Sequence, residues 1–492
     1  MNEKEVLQYI RTAPYINGEY LSIEGAEKIN KVCPANGEPI PPIECADNEL
    51  VDLAVSNSLD VYKKGGWRER SASEKKKAVM RWAELIEDNL QLLAYMDTLE
   101  TGRCLSNFIY DSIPKAIAAI RWFAESVDKL VDEAVDHNQG LLATVTRTPI
   151  GVVGVIIPWN DPMVVAAWKI VPALLMGNSV IAKPAEQSSY SLLYVAELAV
   201  QAGIPAGVLN VLPGYGSRTG KALVCHQGVR GIFFTGSSET GKKVMADSAN
   251  SNMKKVGLEC GGKSAFVLTK NYRDLDYAAE ILARNIFYNQ GQICSAPSRL
   301  IVHDSIKDEF LELLIDASRR YIPADPFDIK TSVGSLVDKA QYERVQSFII
   351  EAEGNQYHVH TIGETEGVNE KGFFINPRII DGVGQDDRLA QEEIFGPVLV
   401  VLTYQQISEA VAIANNSRYG LAASIWSDDL SEALTVSKQL DAGIVHVNSY
   451  GEDDNNIPFG GFKESGIGKD KSLHAFDEYS EMKSTIISYK RR

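Results

Sequence analysis

Apolar residues recur at helical spacing through much of the first 127 residues. The clearest stretch begins at Ser71, which forms with Glu74 the Ser-x-x-Glu pattern of a helix-capping box. Apolar side chains then follow one stripe as far as Gly102, a residue type that commonly ends helices. The spacing therefore predicts amphipathic helical structure from residue 71 to residue 102.

The periodicity changes between residues 128 and 148. Apolar and polar residues alternate there, and they alternate weakly again at 484–490. A period of two is typical of strands that expose one face. The pattern predicts an exposed antiparallel excursion or connecting strand pair in the first region and a strand near the C-terminus.

From residue 152 onward, short apolar runs are separated by helical patterns. The runs are 152–158, 178–184, 208–214 and 231–236, followed by 256–260, 264–269, 298–303, 396–401 and 443–448. A helix is predicted from Asp274 to Gln290 within the second series. This alternation is the signature of β-α-β units around parallel sheets, an arrangement typical of nucleotide-binding proteins. The predicted fold class is α/β.

Length and composition fit an ordinary globular protein. The chain has 492 residues, of which 45% are hydrophobic and 23% charged, enough for two or three domains. Its 65 acidic and 49 basic side chains give a net charge of −16, which disfavours nucleic acid and anionic membranes as partners. The chain has no apolar run of the roughly 18 residues that a membrane helix needs, and the N-terminus lacks a targeting pattern. We therefore expect a cytoplasmic protein.

Cysteine and histidine spacing argues against disulfides and metal sites. The cysteines are Cys33, Cys45, Cys104, Cys225, Cys260 and Cys294. No two have C-x-x-C spacing, which disfavours a disulfide framework and a zinc ribbon. His358 and His360 alternate along a polar stretch, which is more typical of a solvent-facing strand than of a ligand pair. No metal site is predicted, and the lack of H-E-x-x-H and G-x-S-x-G motifs disfavours common zinc and serine hydrolases.

Two glycine motifs bear on phosphate binding. Residues 257–264 satisfy the P-loop pattern G-x-x-x-x-G-K-S. A P-loop leads directly into a helix, whereas Ser264 begins a strand-like run and Glu259 would place a carboxylate in the phosphate cradle. A nucleoside triphosphatase is therefore disfavoured. Residues 236–241 fit better as a glycine turn that places a pyrophosphate near a helix start.

Three polar residues are candidates for chemistry. Cys294 follows the predicted helix across the sequence NQGQ, where a thiolate is free to attack a carbonyl carbon. Asn160 follows a parallel-sheet strand at the edge where open α/β sheets bind ligands, and Glu259 ends another strand. Each has a simpler interpretation when taken singly, such as a buried structural cysteine or a solvated loop carboxylate.

Eight segments together resemble the NAD(P)-dependent aldehyde dehydrogenase superfamily along nearly the whole chain. They are IPWN (157–160), KPAEQS (183–188), GIPAGVLNVLPG (203–214), FTGSSETG (234–241), LECGGKS (258–264), NQGQICSAPSR (289–299), EEIFGPV (392–398) and PFGGFKESGIGKD (458–470). The resemblance implies a Rossmann-type NAD domain, an α/β catalytic domain and a small β oligomerisation arm. The expected limits are 1–127 and 148–261 for the NAD domain, 262–462 for the catalytic domain, and 128–147 and 470–492 for the arm. Arms of this kind imply a homodimer or homotetramer.

By this resemblance, Cys294 is the nucleophile and Glu259 the general base. The side-chain amide of Asn160 is expected to join the backbone N–H of Cys294 in an oxyanion hole, and Lys169 to help proton movement near Glu259. Thiolate attack gives a tetrahedral oxyanion that expels hydride to the nicotinamide, and water then cleaves the thioester. Relatives that pass the acyl group to coenzyme A typically lack this glutamate, so a free acid is the expected product.

The resemblance also implies a cofactor site. Lys183 and Glu186 are expected at the adenosine ribose, and the Glu186 carboxylate would repel a 2′-phosphate, so NAD is favoured over NADP. The remaining expected cofactor contacts are Pro158 and Trp159 beside the cofactor, Gly236 and Ser237 under the pyrophosphate, and Glu393 and Phe395 at the nicotinamide ribose.

The substrate is predicted less specifically. Within the superfamily, the chain is most similar to dehydrogenases for γ-glutamyl-aminobutyraldehyde and other ω-amino aldehydes. Glu452, Asp453 and Asp454 would attract a cationic tail, or they form a solvated surface loop. Asp161 either discriminates substrates or caps the following helix. The alternatives are an aromatic, aliphatic or semialdehyde substrate, and a catalytically silent binding protein on the same fold.

Overall fold

The fold is built on two large β-sheets. The computed structural model describes residues 3–138, 140–365, 367–451 and 454–489. The strands of the first sheet, in spatial order, are Glu19–Tyr20, Tyr15–Ile16, Leu209–Val211, Ser179–Lys183, Val152–Ile156, Gly231–Thr235, Lys255–Glu259 and Gly466–Ile467. The strands of the second sheet are His358–Thr361, Arg378–Asp381, Val398–Tyr404, Arg299–His303, Ala265–Leu268, Ala422–Trp426 and Ile444–Val447. The α/β prediction is confirmed.

The topology of the first sheet creates a position for ligands. Val152–Ile156 lies between Ser179–Lys183 and Gly231–Thr235, and all three strands are parallel. After Val152–Ile156, the next two parallel strands along the chain, Ser179–Lys183 and Leu209–Val211, are added on one side of it. The following strands, Gly231–Thr235 and Lys255–Glu259, are added on its other side. Open α/β sheets bind ligands beyond the carboxyl ends of their strands at such a switch point.

Successive residues of the central strands alternate between two apolar cores. In the first sheet, Val153 packs in one core and Val152 in the other. In the second sheet, Val267 and Phe266 are divided in the same way. Burial of both faces explains why these strands appear in the sequence as nearly continuous apolar runs.

A small antiparallel sheet forms from distant parts of the chain. Its strands are Glu133–Asn138, Leu141–Pro149 and Ser480–Ser488, and the last pairs with Leu141–Pro149 over its whole length. The two regions of alternating pattern are therefore partners in one sheet. The domain limits given above stay a prediction.

Helices connect the strands of both sheets. The α-helices are Glu3–Leu7, Asn48–Lys64, Ala72–Asp88, Leu90–Thr101, Leu105–Asn107, Ile113–Ser126, Pro162–Leu175, Tyr190–Gln201, Lys221–Cys225, Ser238–Ser251, Leu275–Phe287, Lys307–Ser318, Lys339–Gly354, Arg388–Gln391, Ile407–Asn415, Leu430–Gln439 and His474–Glu478. Shorter helical turns span Phe108–Ser112, Val127–Lys129, Gly216–Gly220, Tyr288–Gly291 and Asp304–Ile306. Two short strand pairs, Lys28–Val32 with Pro39–Glu44 and Tyr419–Gly420 with Phe462–Lys463, complete the fold.

Two helix predictions need correction. The capping box at Ser71 is present, but the helical stretch that follows is divided at Asn89, whose side-chain amide donates to the Leu85 carbonyl at 2.8 Å. The predicted helix from Asp274 to Gln290 ends earlier, at Phe287. A side chain that satisfies a terminal carbonyl ends a helix without any change in the apolar pattern. Such ends are therefore hard to locate from periodicity alone.

Three findings concern membranes, disulfides and metals. No helix in the described ranges is both long and apolar enough to cross a bilayer. The six cysteines all lie in the described ranges, and none forms a disulfide. Within the same ranges, no three His, Cys, Asp or Glu side chains are grouped to hold a metal ion. His358 and His360 lie on the edge strand His358–Thr361, with their rings stacked 4.4 Å apart.

Candidate active site

A cavity of about 600 Å³ is lined by residues from the first large sheet and from segments that adjoin the strands of the second. Glu259 is the last residue of a first-sheet strand, and Cys294 precedes the second-sheet strand Arg299–His303. Asn160 follows Val152–Ile156, one of the strands at the switch point. All three side chains line this cavity. The three residues that sequence analysis singled out for chemistry are therefore neighbours.

Backbone geometry brings Cys294 to the cavity. Asn289 and Gln290 have left-handed φ angles of 49° and 55°, so the chain turns sharply where the helix ends. Gly262 packs so closely that a Cβ atom there would lie 2.5 Å from the Cys294 carbonyl oxygen. Gly262, three residues after Glu259, thus lets the cysteine loop approach the end of the strand that carries Glu259.

The Cys294 thiol is uncharged at neutral pH in this setting. Burial raises its pKa to about 12, and the negative charges of Glu393 and Glu259 act in the same direction. Only a thiolate is a strong nucleophile, so the thiol must lose its proton as it attacks.

Asn160 presents a side-chain amide to the cysteine loop. Its Nδ2 atom donates to the carbonyl of Gln292 at 3.0 Å. An amide nitrogen carries two hydrogens, so a second N–H is available for a ligand oxygen. The geometry is compatible with an oxyanion donor beside Cys294.

Glu259 is a buried carboxyl group with unused hydrogen-bonding capacity. The residue is 5% exposed, and neither carboxyl oxygen has a hydrogen-bond partner within the described part of the chain. Burial raises its pKa well above the usual value, Asp470 adds to this rise, and Lys169 opposes it. A Cβ atom on Gly460 would lie 2.5 Å from its Oε1 atom, so glycine is needed there. A carboxyl group with a raised pKa is suited to exchanging protons near neutral pH.

Lys169, predicted to help proton movement near Glu259, is hydrogen-bonded to another carboxylate of the same region. Its buried Nζ atom donates to Asp470 Oδ2 at 2.8 Å. Asp470 itself lines the catalytic cavity with Glu259. Sequence analysis placed Asp470 in a matched segment but gave it no role. Through its hydrogen bond with Asp470, Lys169 contacts a residue of the cavity lining.

A second cavity, of about 770 Å³, adjoins the first and fits a dinucleotide. Pro158, Trp159, Gly236 and Ser237 line both cavities. Ser237 caps the helix Ser238–Ser251, and a helix start of this kind binds phosphate groups through its free N–H groups and dipole. Gly236 and Ser237, predicted to lie under the pyrophosphate, thus lie at a helix start that lines this cavity, and their role stays a prediction.

The two residues predicted at the adenosine ribose line the second cavity but not the first. These residues are Lys183 and Glu186, with 3.5 Å between Lys183 Nζ and Glu186 Oε1. The same Glu186 oxygen accepts from the Gly216 N–H at 2.5 Å. The carboxylate is thereby fixed where it can accept hydrogen bonds from sugar hydroxyls.

Glu393 and Phe395 line the first cavity, with Cys294 and Glu259. Glu393 Oε1 accepts from the Gly262 N–H at 3.0 Å, and burial raises the pKa of Glu393 to about 7. Phe395 has a left-handed φ of 57°, and its ring meets that of Trp159 edge-on at 5.4 Å. A Cβ atom on Gly261 would lie 2.0 Å from Glu393 Oε2. The Gly261–Gly262 pair therefore permits both the Glu393 and the Cys294 contacts.

Sequence analysis missed two residues of this region. Gln341 Nε2 donates to the Phe395 carbonyl at 2.7 Å, and Arg344 Nη2 donates to the Glu393 carbonyl at 2.7 Å. Both lie on the helix Lys339–Gly354, outside every matched segment. No sequence signal pointed to them, because only the tertiary fold brings this helix to the cavity.

The sequence left two roles open, that of Asp161 and that of the acidic residues 452–454, and the structure decides only the first. Asp161 precedes the helix Pro162–Leu175 but makes no side-chain cap, so the capping interpretation is wrong. Its carboxylate instead pairs with Arg103 at 3.1 Å. Glu452 and Asp453 lie outside the described residues, and Asp454 is exposed.

Comparisons with known proteins agree with this arrangement. The chain matches the Aldehyde dehydrogenase family over residues 20–485. It is 42% identical over 474 residues to the aminoacetaldehyde dehydrogenase of Pseudomonas aeruginosa, covering 96% of this chain and 95% of that protein. A solved structure of indole-3-acetaldehyde dehydrogenase with NAD+ is similar at 42% identity and a TM-score of 0.96, covering 99% and 98% of the two chains. The γ-glutamyl-γ-aminobutyraldehyde dehydrogenase of Burkholderia cenocepacia is similar at 41% identity and a TM-score of 0.95, covering 99% of both.

The fold and the two adjoining cavities thus define a dinucleotide-dependent enzyme, with Cys294 in the lining of the first cavity. The chain belongs to the aldehyde dehydrogenase family. The predicted family, fold and enzyme class are confirmed.

Proposed function

We propose that the protein oxidises an aldehyde to the free carboxylic acid with NAD, using Cys294 as nucleophile. The observation that carries the proposal is the cavity shared by Cys294, Glu259 and Asn160, which adjoins a second cavity suited to a dinucleotide. Aldehyde, water and NAD+ are converted to acid, NADH and a proton. NAD use is further supported by the NAD+ complex of the indole-3-acetaldehyde dehydrogenase.

In the first half-reaction, the Cys294 sulfur bonds to the aldehyde carbon as the thiol proton passes to solvent water. The carbonyl oxygen becomes an oxyanion, which the Asn160 amide and the Cys294 backbone N–H stabilise. One such donor is typically worth about 3 kcal/mol of transition-state stabilisation. When NAD is bound, its nicotinamide accepts the hydride that the adduct releases. A thioester on Cys294 remains.

In the second half-reaction, Glu259 takes a proton from water, and the water oxygen attacks the thioester carbon. The carbon–sulfur bond then breaks, and Cys294 regains a proton. The free carboxyl oxygens of Glu259 support this role, because both are available to accept from water. We assign onward transfer of this proton to the pair Lys169–Asp470, and the hydrogen bond between the two side chains supports the assignment.

Cofactor choice is assigned to Glu186. Replacing Glu186 by glutamine is expected to lower the preference for NAD over NADP by about tenfold, because the substitution removes a negative charge near the 2′ position. The ratio of kcat/KM values for the two cofactors measures the effect. Glu27→Gln removes a carboxylate outside the cofactor cavity, one that pairs with Arg218 at 2.6 Å, and should leave the ratio unchanged. An unchanged ratio in Glu186→Gln would contradict the assignment.

An ω-amino or γ-glutamyl-amino aldehyde is the substrate class we favour. The catalytic cavity is lined by five acidic side chains and two arginines. Burial raises the pKa of Glu259 well above the usual value and that of Glu393 to about 7, but the remaining carboxylates still outnumber the guanidinium groups, and this surplus negative charge attracts a cationic tail. The names of the Pseudomonas aeruginosa and Burkholderia cenocepacia relatives point to the same class.

An arylacetaldehyde is the second candidate. The rings of Trp168 and Phe459 line the cavity with centroids 5.3 Å apart and an interplanar angle of 42°, and they offer an apolar aromatic wall. The indole-3-acetaldehyde dehydrogenase supports this alternative.

The rate of NADH formation across a panel of aldehydes tests the substrate class. The panel contains ω-amino, γ-glutamyl-amino, ω-carboxy, aromatic and aliphatic aldehydes. Amino aldehydes are expected to have the highest kcat/KM, and an aromatic preference would favour the second candidate. No activity with any aldehyde and either cofactor would contradict the proposed function itself.

The small antiparallel sheet is proposed to pair subunits into a homodimer or homotetramer. Met482, Ile486 and Ile487 on its last strand are 65%, 71% and 46% exposed. Apolar side chains so exposed on an edge strand favour association. Ile486→Asp is expected to reduce the molar mass measured by light scattering, whereas Ile486→Val should not. A wild-type monomer at micromolar concentration would contradict the proposal.

The cytoplasm is the proposed place of action. Six cysteines without a disulfide among them are typical of proteins kept in a reducing compartment.

A further inference from the structure

One buried arginine joins three separate segments around Asn160. Arg103 follows Gly102 at the end of the helix Leu90–Thr101, and its side chain is 2% exposed. Its Nη1 atom donates to the Asn160 carbonyl at 3.2 Å, and its Nη2 atom donates to the Tyr288 hydroxyl at 2.9 Å. The guanidinium therefore connects the end of one helix, the Asn160 loop and the start of the cysteine loop.

Asn160 is held at both its backbone and its side chain. Besides the bond from Arg103, its carbonyl accepts from Asn289 Nδ2 at 3.0 Å. Its own side-chain amide donates to Gln292 at 3.0 Å. Asn289 and Gln292 both belong to the loop that leads to Cys294. The position of the Asn160 amide relative to the sulfur thus depends on contacts on both sides of the residue.

The charge of Arg103 is balanced within the same cluster. Asp161 Oδ2 lies 3.1 Å from its Nη1 atom, and Asp111 Oδ2 lies 3.8 Å from its Nη2 atom. Ser112 donates to Asp161, and Tyr288 donates to Asp111 at 2.6 Å. Because the guanidinium is buried, removing either carboxylate would leave part of its charge uncompensated. These charge-assisted contacts therefore favour a single arrangement of the cluster.

We propose that Arg103 is a positioning residue that sets the Asn160 amide against the Cys294 sulfur. It touches neither substrate nor sulfur and acts through the Asn160 backbone. The planar guanidinium serves a backbone carbonyl, a tyrosine hydroxyl and a carboxylate at once, which the point charge of a lysine cannot do. Small displacements of a preorganised donor strongly reduce transition-state stabilisation. The inference rests on the oxyanion role proposed for Asn160.

A double-mutant cycle tests the proposal. Arg103→Lys and Asn160→Ala are made singly and together, and the rate of NADH formation in the first turnover is measured by stopped flow at saturating aldehyde and NAD. Asn160→Ala is expected to lower this rate by about 10²- to 10³-fold. Arg103→Lys should lower it by at least about tenfold alone, and by less than about twofold when Asn160 is already alanine. The KM for NAD should stay within about twofold of wild type.

Arg378→Lys is the matched control for the loss of a partly buried guanidinium. Arg378 donates to two backbone carbonyls, those of Asn376 at 2.8 Å and Pro377 at 3.3 Å. Its Nε atom, like that of Arg103, is buried and has no hydrogen-bond partner among the residues that the structure describes. It lies on the second-sheet strand Arg378–Asp381, away from the cavity. This variant should change the melting temperature but not the first-turnover rate.

The outcomes separate the inference from the proposed function. Equal rate losses from Arg103→Lys in both backgrounds, or no loss in either, would overturn the positioning role. A normal rate in Asn160→Ala would instead overturn the oxyanion assignment. If Arg103→Lys does not fold, Tyr288→Phe removes one acceptor while keeping the ring, and its rate loss must also vanish in the Asn160→Ala background. An equal loss in both backgrounds would overturn the proposal by this route.

Discussion

Replacing Cys294 by alanine is expected to abolish NADH formation, with a loss of at least about 10⁴-fold in kcat. Without the sulfur, the aldehyde carbon cannot enter the tetrahedral adduct from which hydride leaves, and loss of a nucleophile from a cooperating set typically costs about 10⁴- to 10⁶-fold. The measurement is the steady-state rate at saturating aldehyde and NAD, compared with the wild type at equal folded concentration.

Cys225→Ala is the control for this substitution. Cys225 is also a half-buried free cysteine, but it lines a groove near the N-terminal strands and not the catalytic cavity. Its replacement should leave kcat within about twofold of wild type. A Cys294→Ala enzyme that kept a tenth of the wild-type rate would refute the assignment of the nucleophile.

Replacing Glu259 by glutamine is expected to slow turnover by about 10²- to 10⁴-fold while the first turnover still produces NADH. The reason is that the base is required for water attack on the thioester, after hydride has already left. Rapid mixing should therefore show a burst of about one NADH per active site followed by a slow steady phase. Loss of the burst together with the steady rate would show that Glu259 is needed earlier, in activating Cys294.

The pH dependence follows from the same carboxyl group. Because burial raises its pKa well above the usual value, Glu259 is largely protonated at pH values where an exposed glutamate is ionised. Only the ionised form accepts a proton from water, so kcat is expected to rise with pH through this raised pKa. The Glu259→Gln enzyme should lack this rise. A wild-type kcat that falls with pH over the same range would contradict the assigned base.

The sequence was sufficient for the parts of the site that depend on local pattern. Asn160 and Glu259 each end an apolar run, and the carboxyl ends of strands in a parallel sheet face the same edge. Cys294 lies in a turn that glycine and polar residues mark clearly. The glycine motif at 236–241 correctly indicated a turn before a helix, because strand, turn and helix are adjacent in sequence.

Contacts between distant segments could not be predicted in the same way. Arg103 lies 57 residues from Asn160 and 185 from Tyr288, and nothing in its local sequence distinguishes it from a surface arginine. Arg344 reaches Glu393 from a helix without a recognisable motif. Asp161 looked like a helix cap because aspartate is common at that position. Its partner, a buried guanidinium, becomes apparent only in the folded chain.

The mass of a trapped reaction intermediate is the most direct test of the central claim, that the aldehyde is oxidised as a covalent adduct of Cys294. The Glu259→Gln enzyme is mixed with an aldehyde and NAD, quenched in acid and measured by mass spectrometry, intact and after digestion. The account predicts one added group with the mass of the aldehyde less two hydrogens, located on the peptide that contains Cys294. NADH formation without this adduct, or with the group on another residue, would contradict it.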